Sequence, residues 1–205
     1  MLDKIKSLFF LRNVFSFFNF RKYLKIISYN KNLQKTLKVN INDFWRVSGK
    51  YIIGEINGYG KEYDSKDNLL FEGEYLKGKR NGKGKEYDKY GVIKYEGEYL
   101  YGKRNGRGKE YNYFNDKLKF EGEFLDGKKH GKGKEYDYGK LIFEGEYLNG
   151  ERNGNGREYY DDGKLKFEGE YLDGNRNGEG KEYDYNGKLI FEGNYKNNNR
   201  RKPLK

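Results

Sequence analysis

The residue types that carry out nucleophilic or metal chemistry are scarce in this sequence. There is no cysteine, His130 is its one histidine, and its hydroxyl nucleophiles are five serines and Thr36. Nucleophilic catalysis needs a nucleophile beside a base, and zinc needs nitrogen or sulfur ligands. His130 takes a place that asparagine fills elsewhere in a repeated pattern, so we interpret it as a turn residue. We therefore expect no enzymatic activity, no metal site and no cofactor.

Paired carboxylates are the remaining candidates for chemistry. They occur as Glu72/Glu74, Glu96/Glu98, Glu144/Glu146 and Glu168/Glu170. An active site uses one such pair in one pocket, so a pair that returns about every 24 residues indicates a ladder on a solvated face. Asp161-Asp162-Gly163 lacks the spacing of a calcium loop. Gly82-x-Gly84 lacks the helix and the Lys-Ser/Thr of a phosphate loop.

A repeat positions all of these side chains. The string Phe71-Glu72-Gly73-Glu74-Tyr75 recurs from Tyr95, Phe120, Phe143, Phe167 and Phe191. A second block, Asn81 to Tyr87, follows it and recurs from Asn105, His130, Asn153 and Asn177. We divide the chain into six full units, 47–70, 71–94, 95–119, 120–142, 143–166 and 167–190, and a half unit that ends at 195. Such periodicity predicts stacked supersecondary units.

Each unit is predicted to be one β-hairpin. Residues 71–77 form the first strand, Gly78 to Gly82 turn the chain, and 83–88 return; Gly91, Gly139, Gly163 and Gly187 mark the links to the next unit. The favoured register sets Glu74 against Lys83 or Lys85, because a one-residue shift would set Glu72 against Glu86. A glycine between two aromatic residues indicates close approach, which we expect from a ring of the adjacent unit.

Positions of the repeat that recur as aromatic residue or glycine are predicted to be structural. They are Phe71, Gly73, Tyr75, Gly82, Gly84, Tyr95, Gly97, Tyr99, Phe120, Gly122, Phe124, Phe143, Gly145, Tyr147, Phe167, Gly169 and Tyr171. Isolated hairpins are marginal in water, so the units must bury one another's rings.

One recurring basic position is a candidate binding site. Arg80, Arg104, Lys129, Arg152 and Arg176 share it, and Lys79, Lys103 and Lys128 precede three of them. If these residues lie in hairpin turns, they form a row along one edge of the sheet, about 10 Å apart. Such a row suits anionic headgroups or an acidic partner, and its alternative is solvation of the turns.

The net charge of +11 is concentrated at the two ends of the chain. Residues 1–46 carry ten basic and two acidic residues, and 196–205 carry five basic residues, whereas 47–195 has a net charge of −2. The balanced middle argues against nucleic acid as a partner. Residues 196–205 are expected to be a basic disordered tail.

Residues 1–46 are predicted to form basic amphipathic helices, because Ile5, Leu8, Phe9, Phe15 and Phe18 recur at roughly helical spacing. Three interpretations of these helices stay open. They cap the open sheet, or they lie as a basic amphipathic helix on an anionic membrane. The third is an F-box-like module, since Val14 to Phe18 resembles the opening of that motif. The apolar run from Leu8 to Phe20 is too short to cross a bilayer and has no cleavage site, so we expect an intracellular protein, cytoplasmic or bound peripherally to a membrane.

The unit Phe-Glu-Gly-Glu-Tyr-Leu-x-Gly-x-x-x-Gly-x-Gly-x-x-Tyr resembles the MORN repeat over residues 47–195, and the links resemble the MORN variant repeat. This resemblance implies a mainly β fold, an elongated single-layer antiparallel sheet of stacked hairpins, here with a short α-helical N-terminal segment. It implies a non-enzymatic scaffold for protein–protein interaction. The alternatives are binding to anionic phospholipid and an F-box-like adaptor for ubiquitin ligases. Protein partners are expected first, with membrane lipid or a second copy of the chain as alternatives.

Overall fold

A computed structural model describes residues 50–54, 57–64, 66 and 68–201. Within these residues the chain forms fourteen strands. They are β1 (Lys50–Gly54), β2 (Gly58–Asp64), β3 (Leu69–Leu76), β4 (Lys79–Tyr87), β5 (Ile93–Leu100), β6 (Lys103–Tyr111), β7 (Leu118–Leu125), β8 (Lys128–Asp137), β9 (Lys140–Leu148), β10 (Glu151–Tyr159), β11 (Leu165–Leu172), β12 (Asn175–Tyr183), β13 (Leu189–Lys196) and β14 (Asn199–Arg200).

The strands lie side by side in chain order in one open antiparallel sheet. This order follows from the two kinds of short connection in each unit. Lys77 and Gly78 form the hairpin turn, both with positive φ, which matches the twist that a two-residue turn between antiparallel strands requires. Links such as Asp88 to Val92 join one unit to the next, and there the Gly91 N–H donates to the carbonyl of Asp88. The predicted fold of stacked hairpins is confirmed.

The two faces of the sheet differ in chemistry because side chains alternate along each strand. Phe71 and Tyr75 lie on what we call the aromatic face, and Glu72 and Glu74 lie on the charged face. Glu72 stands opposite Lys85 and Gly73 opposite Gly84, the register that pairs unlike charges. A bulge follows Gly73, so Glu74 does not pair directly with Lys83; its carboxylate accepts the Lys83 backbone N–H at 3.3 Å instead.

Aromatic rings form a continuous chain along the aromatic face. The Phe71 ring makes edge-to-face contacts with Tyr75 of its own unit at 5.5 Å and with Tyr99 of the next unit at 5.0 Å, and the same pair of contacts continues to Tyr195. Phe71, Tyr95, Phe120, Phe143 and Phe167 are fully buried. Each unit therefore buries its own ring only with the help of its neighbour.

The close approach at the glycines comes from a different ring than we predicted. A side chain on Gly84 would overlap the Phe71 ring of the same hairpin, and one on Gly73 would meet that ring and the facing backbone. Rings of the adjacent unit contact the second glycine of the hairpin, as Tyr171 does at Gly156. The adjacent-unit ring expected at Gly73 was therefore wrong, because Phe71 folds back over its own hairpin.

Two further expectations concern the ends of the chain. The tail predicted to be disordered from residue 196 instead completes a hairpin, because β14 pairs with β13 and the Arg201 N–H donates to the Asn194 carbonyl at 2.7 Å. The predicted N-terminal helices, with their cap, membrane and F-box-like alternatives, lie outside the described residues, as do residues 202–205.

Candidate functional site: a groove on the charged face

The charged face carries a first row of alternating charges that crosses the sheet at right angles to the strands. Its members are Lys61, Glu72, Lys85, Glu96, Lys109, Glu121, Lys134, Glu144, Arg157, Glu168, Lys181 and Glu192, each opposite the next across a pair of strands. Several are ion-paired, as Lys61 is to Glu72 at 3.0 Å and Lys181 to Glu192 at 3.3 Å. This first row is electrically neutral.

A tyrosine holds each interior glutamate of the first row in place. The Tyr87 hydroxyl donates to Glu72 at 2.7 Å, and Tyr111 donates in the same way to Glu96 at 2.6 Å. The hydrogen bond from Tyr111 and the charge of Lys85 lower the pKa of Glu96, although burial opposes them. Burial and the bond to Glu96 raise the pKa of Tyr111 to about 12. The sequence did not explain why Tyr87 lies on the charged face; this hydrogen bond does.

A second row runs parallel to the first, one glycine away along the strands. It consists of Tyr59, Glu74, Lys83, Glu98, Arg107, Glu123, Lys132, Glu146, Asn155, Glu170, Glu179 and Asn194. The Lys83 and Arg107 backbone N–H groups donate to Glu74 and Glu98, so these carboxylates also cap the bulges.

Between the two rows lies a strip of paired glycines, which leaves a groove. Gly73 faces Gly84, Gly97 faces Gly108, and the pairing continues to Gly180 and Gly193. A side chain at these positions would point to the aromatic face, where the Phe71 ring lies, so on the charged face the floor of the groove is bare backbone. The groove is lined by members of both rows from Tyr59 to Asn194, though not by Lys61 or Glu170, and has a volume of about 1530 Å³. It is a long, open surface with charged walls.

The predicted basic row lies elsewhere, on the aromatic face. The hairpin turn contains two residues and not five, so Arg80 belongs to β4 and stands opposite Tyr75. Its guanidinium lies 4.3 Å from the centre of the Phe71 ring and is ion-paired with Glu62 at 2.9 Å and Glu86 at 3.0 Å. Arg104, Lys129, Arg152 and Arg176 repeat this arrangement.

These cations therefore cover the buried rings, and glutamates of neighbouring strands neutralise their charge. Burial alone would raise the pKa of Glu86, but the hydrogen bond and charge of Arg104, together with Arg80, hold it below its usual value. A role of this row in ligand binding stays a prediction, and its location on an exposed turn edge was wrong.

Lys79, Lys103 and Lys128 do lie at the turns, where they are exposed. Each stands opposite a leucine, respectively Leu76, Leu100 and Leu125. The Leu100 side chain is 44% exposed although it is apolar. This turn edge therefore presents alternating leucine and lysine side chains to the solvent.

The described residues place few groups where they could perform chemistry. His130 lies inside β8 opposite Glu123, so it is not the turn residue that we predicted. In the part of the chain that the structure covers, no three His, Cys, Asp or Glu side chains cluster as metal ligands. No helix among these residues is long and apolar enough to cross a membrane. The arrangement is suited to binding by many weak contacts along the groove.

An open ribbon of similar hairpins with a charged groove defines a β-repeat protein, and comparison with known proteins identifies its family. The family model of the MORN repeat matches residues 71–89, 95–112, 120–139, 143–164 and 167–188. The chain belongs to the MORN repeat family. Proteins of this family are typically non-enzymatic and are often involved in protein or membrane-lipid interactions.

Other comparisons add no functional information. No curated protein matches the sequence significantly. The crystal structure of TarM matches with 15% sequence identity and a TM-score of 0.26, over 74% of this chain and 25% of that one. A point mutant of S. aureus TarM in complex with Fondaparinux, alpha-GlcNAc-glycerol and UDP matches with 15% identity and a TM-score of 0.25, over 85% and 28%. The chain spans about a quarter of the length of these proteins, and likeness at this level carries no argument.

Proposed function

We propose that this chain is a non-enzymatic intracellular scaffold that binds a linear polypeptide segment of a partner protein along the charged groove. The observation that carries the proposal is the shape of the groove, a glycine floor between two charged rows that continues across β2 to β13. With a strand spacing of about 4.8 Å, its length is roughly 50 Å. A linear segment fits a site that is long and narrow.

The chemistry of the walls suits a polypeptide with charged side chains. In the first row every charge has an opposite neighbour, so this row favours a ligand that also alternates in charge or is neutral. The second row exposes Lys83, Arg107 and Lys132 beside glutamates, and these side chains are free to contact a ligand. Backbone glycines between the rows give apolar side chains of the ligand a place to lie without steric conflict.

The scaffold is rigid enough to act as a template because each unit is tied to its neighbours by both faces. Rings interlock on the aromatic face, and ion pairs cross the strands on the charged face. In such repeat arrays the interface between neighbouring units supplies most of the stability. A bound segment would therefore meet an ordered surface and lose little free energy to ordering of the scaffold.

Two matched tryptophan variants of the full-length chain test this proposal. Arg107 lines the groove and Lys103 lies at the turn edge of the same strand, so Arg107→Trp and Lys103→Trp each remove one positive charge and add the same ring. We expect a ring at 107 to obstruct the groove and to reduce capture of partner proteins from native lysate at least tenfold. Lys103→Trp should capture as the wild type does. Equal capture by the wild type and both variants would exclude the groove as the surface that binds the partner.

The turn edge favours a second candidate function, peripheral binding to anionic membrane. Lys79, Lys103 and Lys128 alternate there with leucines that are nearly half exposed, and such lysines are attracted to anionic headgroups while the leucines enter the interface. Sedimentation with vesicles that contain phosphatidylserine tests it. The triple change of these lysines to glutamate should abolish binding if the edge is the contact, and unchanged binding would exclude it.

A further inference from the structure

The second row of the groove changes in charge from one end of the sheet to the other. The same repeat position holds Lys83, Arg107 and Lys132 in the three hairpins from β3 to β8. It holds Asn155 in the next hairpin and Glu179 in the one after that. Lys83, Arg107 and Lys132 each stand opposite a glutamate of the next strand, whereas Asn155 stands opposite Glu170 and Glu179 opposite Asn194. The row is thus neutral up to Lys132 and has a net charge of −3 beyond it.

At this end the second row brings like charges into one hairpin. Glu170 and Glu179 occupy one hairpin, at the positions that Glu74 and Lys83 occupy in an earlier one. Like charges at neighbouring positions of a sheet are destabilising. The five other hairpins show that the fold does not require acidic residues there. A positively charged occupant of the groove would relieve the repulsion.

We propose that this occupant is the chain's own N-terminal segment, residues 1–46, laid along the groove with its first residues at the acidic end. The inference rests on the proposed function, since it takes the groove as a surface for linear polypeptide. The segment has a net charge of +8, and Lys4, Lys6 and Arg12 lie near its start. Its charge is therefore complementary to the excess charge of the groove.

The length of the segment matches the distance that it has to cover. It joins the sheet at β1, and the acidic end of the groove lies at β10 to β13. Twelve strand spacings of about 4.8 Å give roughly 58 Å from β1 to β13. A helix of 46 residues is about 69 Å long, and an extended chain is longer still. The basic residues at the start of the chain can therefore reach Glu170 and Glu179.

The sequence of the segment also suits the shape of the groove. Leu8, Phe9, Phe15 and Phe18 recur at roughly helical spacing, with basic residues between them. A stripe of rings can lie on the bare glycine floor, where no side chain obstructs it, while the lysines and arginines face the glutamates of the walls. A partner would then have to displace this segment, so its apparent affinity would depend on residues far from its own contacts.

Repeat symmetry supplies a variant pair of equal charge. Asn155→Lys with Glu179→Lys adds three positive charges and converts the acidic end to the pattern of the first hairpins. Glu151→Lys with Asn175→Lys also adds three, but at the turn-edge position that Lys79, Lys103 and Lys128 hold. Other units already carry lysine at the equivalent positions, so both variants should fold, and a circular dichroism spectrum like that of the wild type would check this.

Distances between spin labels on the full-length chain measure the docking. The sequence has no cysteine, so Ser7→Cys with Asn186→Cys and Ser7→Cys with Lys89→Cys each give one defined pair. Positions 89 and 186 lie on links eight strands apart, a separation of about 38 Å. The proposal predicts a short, narrow distance from 7 to 186 and a much longer one from 7 to 89, both broadened by high salt.

The Asn155→Lys, Glu179→Lys variant should broaden the distance from 7 to 186, and the Glu151→Lys, Asn175→Lys control should leave it narrow. A broad distance in the wild type would refute the inference, as would equal effects of the two variants. A short distance that disappears when excess unlabelled chain is added would assign the contact to a second copy and would also refute it. If the wild-type distance is broad while Arg107→Trp still loses its partner, the proposed function stands and the docking does not.

Discussion

Replacement of Phe120 by alanine should be far more damaging than its single position in a long sheet suggests. The Phe120 ring is fully buried. It contacts the rings of Phe124 at 5.4 Å and Tyr147 at 5.2 Å, and the Lys129 ammonium lies 4.3 Å from its centre. Truncation therefore breaks the aromatic chain in the middle of the ribbon.

The expected loss is about 3–5 kcal/mol, the usual cost of truncating a buried phenylalanine. The upper part of this range applies here, because the two edge-to-face contacts each contribute about 0.5–1.5 kcal/mol beyond burial and both are lost. Among the described residues there is one sheet and no second layer that could move in to fill the cavity. Units on either side contact only their neighbours, so the defect should also weaken coupling between the two halves of the array.

Urea denaturation followed by circular dichroism measures this effect, with Phe114→Ala as the control. Phe114 is 90% exposed in the preceding link, so its truncation should change the free energy of unfolding by less than about 0.5 kcal/mol. Phe120→Ala should lower the midpoint and make the transition broader or biphasic. A loss below about 1 kcal/mol, or equal losses in the two variants, would refute the account of the aromatic chain.

Three further predictions follow from the same contacts. Gly133→Ala should lower the free energy of unfolding by roughly 1–3 kcal/mol in urea titrations, because its Cβ would overlap the Phe120 ring; an unchanged midpoint would contradict this. Arg104→Ala should cost about 2–3 kcal/mol at pH 7, since it leaves Glu86 half-buried without this cation. The lowered pKa of Glu86 contributes stability above the unfolded value of about 4.3 that is lost as the pH falls, so Arg104→Ala should reduce this acid dependence; parallel pH profiles would contradict it. Burial and hydrogen bonds to glutamate raise the pKa of three tyrosines to about 12. Tyrosinate absorbance should therefore show that they ionise at higher pH in the folded chain than in urea, and stability should be lost as the pH rises from about 10 through 12. Ionisation of every tyrosine near pH 10 in the folded chain would contradict this. These tyrosines are Tyr111, Tyr136 and Tyr159.

The sequence predicts the period, the hairpins and the aromatic core of this fold, because each is a local pattern repeated many times. Phe71 and Tyr75 share a face by strand parity, and the glycines at the links are needed for positive φ. The predicted register paired Glu74 with Lys83 or Lys85, whereas the structure pairs Glu72 with Lys85, so the prediction was right that unlike charges meet but not about which glutamate is paired. Repetition makes such inferences reliable, since any error would have to recur in every unit.

The positions that the sequence did not predict depend on a shift of a few residues. The turn was expected to include Arg80, but it ends at Gly78, so Arg80 pairs with Tyr75 next to the turn. The bulge between Gly73 and Tyr75 then shifts the pairing, and Gly73 stands opposite Gly84. That difference moves Arg80 from an exposed edge onto the Phe71 ring. The sequence did contain a signal for the shorter turn. Lys77-Gly78 alone can form a two-residue hairpin turn, in which both residues have positive φ.

The groove itself was missed because it consists of what the side chains leave empty. Gly73 and Gly84 were interpreted as places where rings approach on one face, and the gap that strand alternation leaves between the two charged rows on the opposite face was not considered. The repeated carboxylates were expected to form a solvated ladder. In the structure Glu72 accepts from Tyr87 and Glu74 caps a bulge, so the two glutamates of each unit are held as the walls of the groove.

Site-specific photo-crosslinking inside cells tests the central claim most directly. A photoreactive residue replaces Arg107 in the groove of one form and Lys103 at the turn edge of the other. The account predicts that position 107 crosslinks to polypeptide, either to a partner or to residues 1–46, and that position 103 does so much less. Crosslinking to polypeptide only from position 103, or equally from both positions, would contradict the assignment of the groove as the binding surface.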